Sequence, residues 1–341
     1  MVIVTGGTGY IGSHTVVELI NAGKSVVILD DLSNSRIEVI DAIEEITGTR
    51  PLFHRVDLAD AEALKNVFDK IGEKAEAVVH FAAKKAVGES VEKPLLYYRN
   101  NLFGLVNLLE EMQRFSIEKL VFSSSCTVYG QPSVIPVTEE TPRQKAESPY
   151  GNTKSIAEDI ISDCCKVSPL KAISLRYFNP IGAHASAKIG ELPVGTPTNL
   201  VPYVTQTAAG VRQELTVHGD DYPTEDGTCI RDYIHVVDLA KAHLKALERL
   251  DKEVSVGGNH EFFNVGTGKG SSVMEVIETF KAATGVNIPY KIGERRPGDV
   301  TEIYADTSFA EKELCWKAEL NLKDALGSSW NWEKNYRNIK A

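Results

Sequence analysis

Three groups of residues have the types and spacing to do chemistry. The first is Thr5-Gly6-Gly7-Thr8-Gly9-Tyr10-Ile11-Gly12, which follows an apolar run and opens a helical pattern. Gly6, Gly9 and Gly12 let the backbone turn tightly, approach a pyrophosphate and pack helix on strand. Tyr10 and Ile11, at the helix start, offer amides and a positive dipole to the phosphates. Asp30 ends Val26-Val27-Ile28-Leu29, eighteen residues past Gly12. A carboxylate there accepts hydrogen bonds from ribose hydroxyls and repels a 2′-phosphate. With Asp31 adjacent and no basic residue before Arg36, the pattern predicts NAD rather than NADP. Asp57 suits an adenine contact or an acid near a helix start equally well.

The second group is Tyr150-Gly151-Asn152-Thr153-Lys154, a phenol and an ammonium one helical turn apart, with Ser123-Ser124-Ser125 upstream. A free phenol has a pKa of about 10, too high for a base near neutrality. Lys154 and a cationic nicotinamide ring both favour the phenolate and are expected to lower that value. Tyr150 then takes a hydroxyl proton, and Ser125 hydrogen-bonds the reacting oxygen. Tyr336 and Lys340 repeat the spacing, in what reads as a disordered tail. The third group is Arg231 and Arg296, diphosphate partners on an acidic chain, with Asn179 and Asn199 as hydrogen-bond donors. Taken without motif context, these four suit surface salt bridges and turns.

These groups need elements to position them. Short apolar β-branched runs at 2–5, 25–30, 52–56, 77–81, 119–123 and 171–176 alternate with helical patterns near 13–21, 60–70, 95–114 and 151–165. This is the signature of an α/β, doubly wound parallel Rossmann sheet, with ligands at the carboxyl ends of its strands. Beyond Asn179 prolines and glycines break the rhythm, although 238–250 reads as a helix and 262–265 as a strand returning to the sheet. The expected division is a cofactor-binding domain over 1–178 and a smaller C-terminal substrate-binding lobe over 179–341. The turn Gly266-Thr267-Gly268-Lys269-Gly270-Ser271 lacks the spacing of a phosphate loop and reads as a strand-to-helix turn capped by Ser272.

The 341 residues are 43% hydrophobic and carry a formal net charge of -10, which disfavours a nucleic-acid binder. Five cysteines without metal-ligand spacing suit free thiols in a reducing compartment, and no metal site is expected. No apolar run approaches the roughly 18 residues of a membrane span. The chain opens on an apolar run with no leader pattern, so a cytoplasmic enzyme is the expectation.

The glycine motif, Ser125, Tyr150 and Lys154 together resemble the extended short-chain dehydrogenase/reductases. Longer strings narrow the resemblance to the UDP-galactose 4-epimerases. They include His80-Phe81-Ala82-Ala83-Lys84-Lys85, Ser125-Cys126-Thr127-Val128-Tyr129-Gly130, Leu175-Arg176-Tyr177-Phe178-Asn179-Pro180, Arg231-Asp232-Tyr233-Ile234-His235 and Arg295-Arg296-Pro297-Gly298-Asp299. The resemblance spans nearly the whole chain. It implies interconversion of UDP-glucose and UDP-galactose in galactose metabolism. The sugar 4-carbon gives up a hydride to tightly bound NAD, the 4-keto sugar rotates, and the hydride returns. It implies cofactor contacts at Asp30, Asn34, Asp57, Leu58, Phe81, Lys85, Asn100, Ser123, Tyr150, Lys154 and Tyr177. UDP-hexose contacts are implied at Lys85, Ser125, Tyr150, Tyr177, Asn179, Asn199, Leu200, His218, Arg231, Tyr233, Arg296, Asp299 and Ile303.

A homodimer through 95–114 and 151–165 is also implied. His218 departs from the Phe usual in the family beside the uracil. Ile303 stands where the family gates the sugar's 2-substituent, and core packing is the other reading of it. His80 and His235 read as hydrogen-bonded structural residues. A nucleotide-sugar 4,6-dehydratase needs an acid pair after the strand serines, where this chain has Cys126 and Thr127. A non-catalytic dinucleotide sensor has no use for Ser125, Tyr150 and Lys154.

Overall fold

Val2, Ile3 and Val4 are at most 1% exposed, because the strand they form is covered on both faces. The structure is a computed structural model that describes residues 1–252, 259–296 and 299–339; Pro297, Gly298 and Lys340 lie outside these. Thirteen strands are described, β1 (Val2–Thr5), β2 (Val26–Asp30), β3 (Leu52–Arg55), β4 (Ala77–His80), β5 (Lys119–Ser125), β6 (Lys171–Tyr177), β7 (Asn179–Ile181), β8 (Leu215–His218), β9 (Ile230–His235), β10 (His260–Val265), β11 (Gly270–Ser272), β12 (Tyr290–Gly293) and β13 (Glu302–Ile303). Seven of them form one parallel sheet in the order β10-β6-β5-β4-β1-β2-β3. The order reverses between β1 and β4, and ligands bind at such a switch point.

Alternate side chains of β1 enter two cores. Val2 and Val4 pack with Val16, Val17, Leu239 and Ala246 from the helices Tyr10–Asn21 and Val236–Leu250. Ile3 packs on the other face with Leu64, Phe68, Leu108 and Ile161. Each such side chain, fully buried, is worth about 1.5–3 kcal/mol of transfer free energy. The remaining strands form smaller sheets, β11-β9-β13 with β7 on β9, and β12-β8.

Three expectations are corrected. The helix expected over 95–114 is three segments, Pro94–Tyr98, a π-helical turn Arg99–Phe103 and Gly104–Arg114. Strand β5 runs on to Ser125 rather than stopping at Ser123. Tyr336 is not in a disordered tail. It lies in the helix Leu322–Arg337, its ring stacked on Trp332 with centroids 5.4 Å apart, because Asn321 and Asp324 form a capping box that fixes the helix start.

Candidate active site

The turn after β1 admits little but glycine. Gly6 has φ 69°, and a Cβ there would stand 2.8 Å from the Ala82 nitrogen. A Cβ on Gly12 would meet the Gly6 carbonyl at 2.2 Å. Gly9 is the N-cap of the Tyr10–Asn21 helix, leaving its first amides aimed out of the turn. Asp30 ends β2 and accepts from Thr8 N–H at 3.1 Å, Leu32 N–H at 2.9 Å and the Ser35 hydroxyl at 3.1 Å. Thr8 thereby ties the acid to the glycine turn. Asn34 and Asp57 are exposed and Leu58 is buried. Asp57 accepts the Ala59 N–H at 2.9 Å, whereas Asp60 caps the helix Ala61–Ile71.

At the carboxyl ends of β5 and β6 the reactive side chains meet. Ser148 caps the helix Pro149–Val167, its hydroxyl accepting from Gly151 N–H at 3.1 Å, which sets Tyr150 in the first turn and Lys154 in the second. Lys154 is 5% exposed, donates to the Ser123 carbonyl at 2.5 Å and lies 4.9 Å from the Phe122 ring. Burial pulls its pKa down to about 8, opposed by the charge of Glu158. Ser123 also hydrogen-bonds the Tyr177 hydroxyl. Burial pushes the Tyr150 phenol up to about 12, and a hydrogen bond with Ser125 pulls it back. The expected lowering of Tyr150 by Lys154 is therefore absent here: the ammonium is spent on a carbonyl, and desolvation wins.

Behind them sits a network that sequence reasoning missed. Glu158, 1% exposed, takes Arg176 Nε at 2.9 Å and Nη2 at 2.7 Å, and the Ser124 hydroxyl at 2.6 Å. It locks the Tyr150 helix to β5 and β6. Its signal was Glu158 at one further turn from Lys154, on the same helix face.

On the other side of the cleft, Asn179 in β7 lies opposite Tyr233 in β9, and Arg231 opposite Ile303 in β13. Arg231 pairs with Asp299 at 3.5 Å, and Arg296 is exposed. Tyr233 is pushed up to about 12 by burial, and both arginines act against that shift, so both charges flank it. Ile303 is 5% exposed and packs with Cys126, Val128, Tyr129 and Phe178. His218, ending β8, lies with Nδ1 3.1 Å from the Glu294 carbonyl. Asn199 precedes the helix Leu200–Ala208, but its amide is turned to Glu191. Lys85 is bonded to the same carboxylate. Phe81 opens the segment after β4, its ring centroid 4.6 Å from that of His243. Asn100 lies in the π-helical turn, next to buried Asn101, which accepts from Lys84 N–H at 2.9 Å. Glu191 was not found from the sequence, since it lies in an irregular stretch without periodicity.

A glycine turn tied to an acid, at the switch point of a parallel sheet with a tyrosine and a buried lysine one helical turn apart, defines a dinucleotide-dependent enzyme of the short-chain dehydrogenase/reductase type. A family model described as GDP-mannose 4,6 dehydratase matches residues 3–328. UDP-glucose 4-epimerase of Bacillus subtilis is 48% identical over 335 residues, covering 98% of this chain and 97% of that protein. UDP-glucose 4-epimerase 2 of Arabidopsis thaliana is 50% identical over 339 residues, covering 98% and 95%. The structure of the Stenotrophomonas maltophila UDP-glucose 4-epimerase, with bound NAD and formylated UDP-arabinopyranose, superposes with TM-score 0.95 at 46% identity, covering 99% of each chain. The chain belongs to the UDP-glucose 4-epimerase family of NAD-dependent isomerases.

Proposed function

We propose that the chain interconverts UDP-glucose and UDP-galactose, in galactose metabolism, with NAD retained through the cycle. The observation that carries this reading is the cluster of Ser123, Ser125, Tyr150, Lys154 and Tyr177 where β5 and β6 end. The donor set fits NAD: Gly6, Gly9, Tyr10, Ile11 and Gly12 for the pyrophosphate, and Asp30, Asn34, Asp57 and Leu58 toward the adenosine. Phe81, Lys85, Asn100, Ser123, Tyr150, Lys154 and Tyr177 complete it. When bound, NAD supplies the acceptor that takes hydrogen from the sugar's C4 as hydride and gives it back.

Tyr150 removes the proton of the 4-hydroxyl, and Ser125 hydrogen-bonds the same oxygen. Lys154, with the positive charge that a bound nicotinamide ring would add, favours the phenolate against the burial that raises it. Arg231 and Arg296 hold the diphosphate, with Lys85, Asn179, Asn199, Leu200, His218, Tyr233 and Asp299 around the nucleotide and Ile303 as a wall near the sugar. The 4-keto sugar swings about its diphosphate link, so either face meets the same groups. A 4,6-dehydratase is disfavoured, because Cys126 and Thr127 stand where its acid pair would follow the strand serines. The test is conversion of UDP-galactose to UDP-glucose by purified protein with no NAD added. Stoichiometric consumption of added NAD with release of a keto-sugar contradicts the reading.

A homodimer is part of the proposal. Leu95 (82% exposed) and Phe103 (58%) leave apolar side chains outward on the first of the segments expected to pair. Sedimentation of Leu95→Asp as a single chain, beside a two-chain wild type, checks it.

A further inference from the structure

The side chain of Glu191 is 11% exposed. Its Oε1 accepts from Lys85 Nζ at 3.2 Å and from Asn199 Nδ2 at 2.8 Å. One carboxylate oxygen therefore holds a cation from the segment after β4 and an amide from the start of the Leu200–Ala208 helix. The main chain of Glu191 is fixed separately, by Trp332 Nε1 donating to its carbonyl at 3.2 Å. Burial pushes the Tyr10 phenol well up, and the negative charge of Glu191 adds to that shift. Tyr10 stands beside the glycine turn, with Lys85 Nζ 5.9 Å from its ring.

In the function proposed above, on which this inference rests, Lys85 and Asn199 both contact ligand. The anionic diphosphate of a UDP-sugar needs donors such as these, and a carboxylate already bonded to them competes by like charge. We propose that Glu191 is a latch that holds Lys85 and Asn199 until the diphosphate takes them over. The latch opposes binding and favours release, so Glu191 is a positioning residue that sets affinity rather than a group that touches the reacting carbon.

The test is UDP binding by titration calorimetry, on the protein as purified. Glu191→Gln keeps an acceptor for Asn199 and removes the charge that holds Lys85. UDP should bind about two- to fivefold tighter, the range expected for losing one partly exposed ion pair, and the gain should shrink in high salt. The KM for UDP-galactose should fall with it, while kcat does not rise. Glu191→Ala should move affinity in the same direction, and both variants keep the Trp332 bond to the main chain. A role in stability alone would lower the melting temperature without tightening UDP. Equal or weaker UDP binding in both variants overturns the latch. Failure of the wild type to bind UDP overturns the function on which it rests.

Discussion

The two walls of the cleft are fixed by different forces. On the strand side, Ser123, Ser125, Lys154 and Tyr177 are at most 7% exposed, sit at strand ends and in a capped helix, and are backed by the buried Glu158–Arg176 pair. On the loop side, Arg231 is paired to Asp299, Arg296 is exposed, and Lys85 is 43% exposed and bonded to Glu191. The strand side is held by burial and main-chain hydrogen bonds, the loop side by ion pairs nearer the surface. This suits a reaction in which the proton-handling groups stay still while the sugar turns.

The largest expected effect falls on the strand side. Tyr150→Phe should cut turnover by ~10²–10⁴-fold while UDP and NAD still bind, since it removes a base and little volume. Tyr336→Phe, packed on Trp332 far from the strand ends in sequence, should be silent in steady-state kinetics. If the two variants behave alike, the contrast between the walls has no chemical content.

Ile303 lies between the walls. Ile303→Cys should raise relative efficiency on UDP-N-acetylgalactosamine over UDP-galactose, within the ~5- to 150-fold that relief of overpacking allows. Isoleucine is stiff at its branched Cβ and cannot swing aside. If packing with Cys126 and Phe178 is its whole role, Cys lowers the melting temperature and leaves the sugar ratio unchanged.

On the loop side, Arg296→Lys keeps charge and loses the fork. UDP should bind roughly tenfold more weakly, as for one lost charged hydrogen bond. NAD retention, read from the absorbance of the purified protein, should not move. Equal losses for both ligands would merge the two walls.

The smallest effect is on stability. Burial pulls the pKa values of His14 and His80 down to about 3 and of His243 to about 4. An unfolded histidine takes its proton near pH 6.5, so the unfolded chain binds more protons below that value. Stability is intact above it and falls as pH drops, by up to ~1.4 kcal/mol per unit per histidine. The melting temperature should therefore be lower at pH 5.5 than at pH 7.5, and a flat profile would contradict the burial.

The strand side was legible in the sequence because parallel strands covered on both faces read as unbroken Val, Ile and Leu runs. Val2–Thr5 and the glycine turn after it are the clearest case. The helix Glu38–Thr47 was missed. The π-helical turn at Arg99–Phe103 was also missed, since a wide turn leaves the apolar period nearly unchanged. Most of the loop side was not legible bottom-up. Arg231 and Arg296 were named as cations, but their setting depends on short strands such as Glu302–Ile303, too brief to show alternation. Glu191 acts only through partners 106 and 8 residues away, and no local pattern records that.

The central claim is that hydrogen leaves and returns to the same sugar carbon within one closed site. UDP-galactose labelled with deuterium at C4 tests it most directly, incubated in ordinary water with no added NAD and read by mass spectrometry and NMR. The account predicts UDP-glucose that keeps its deuterium at C4. Loss of the label to solvent would contradict it.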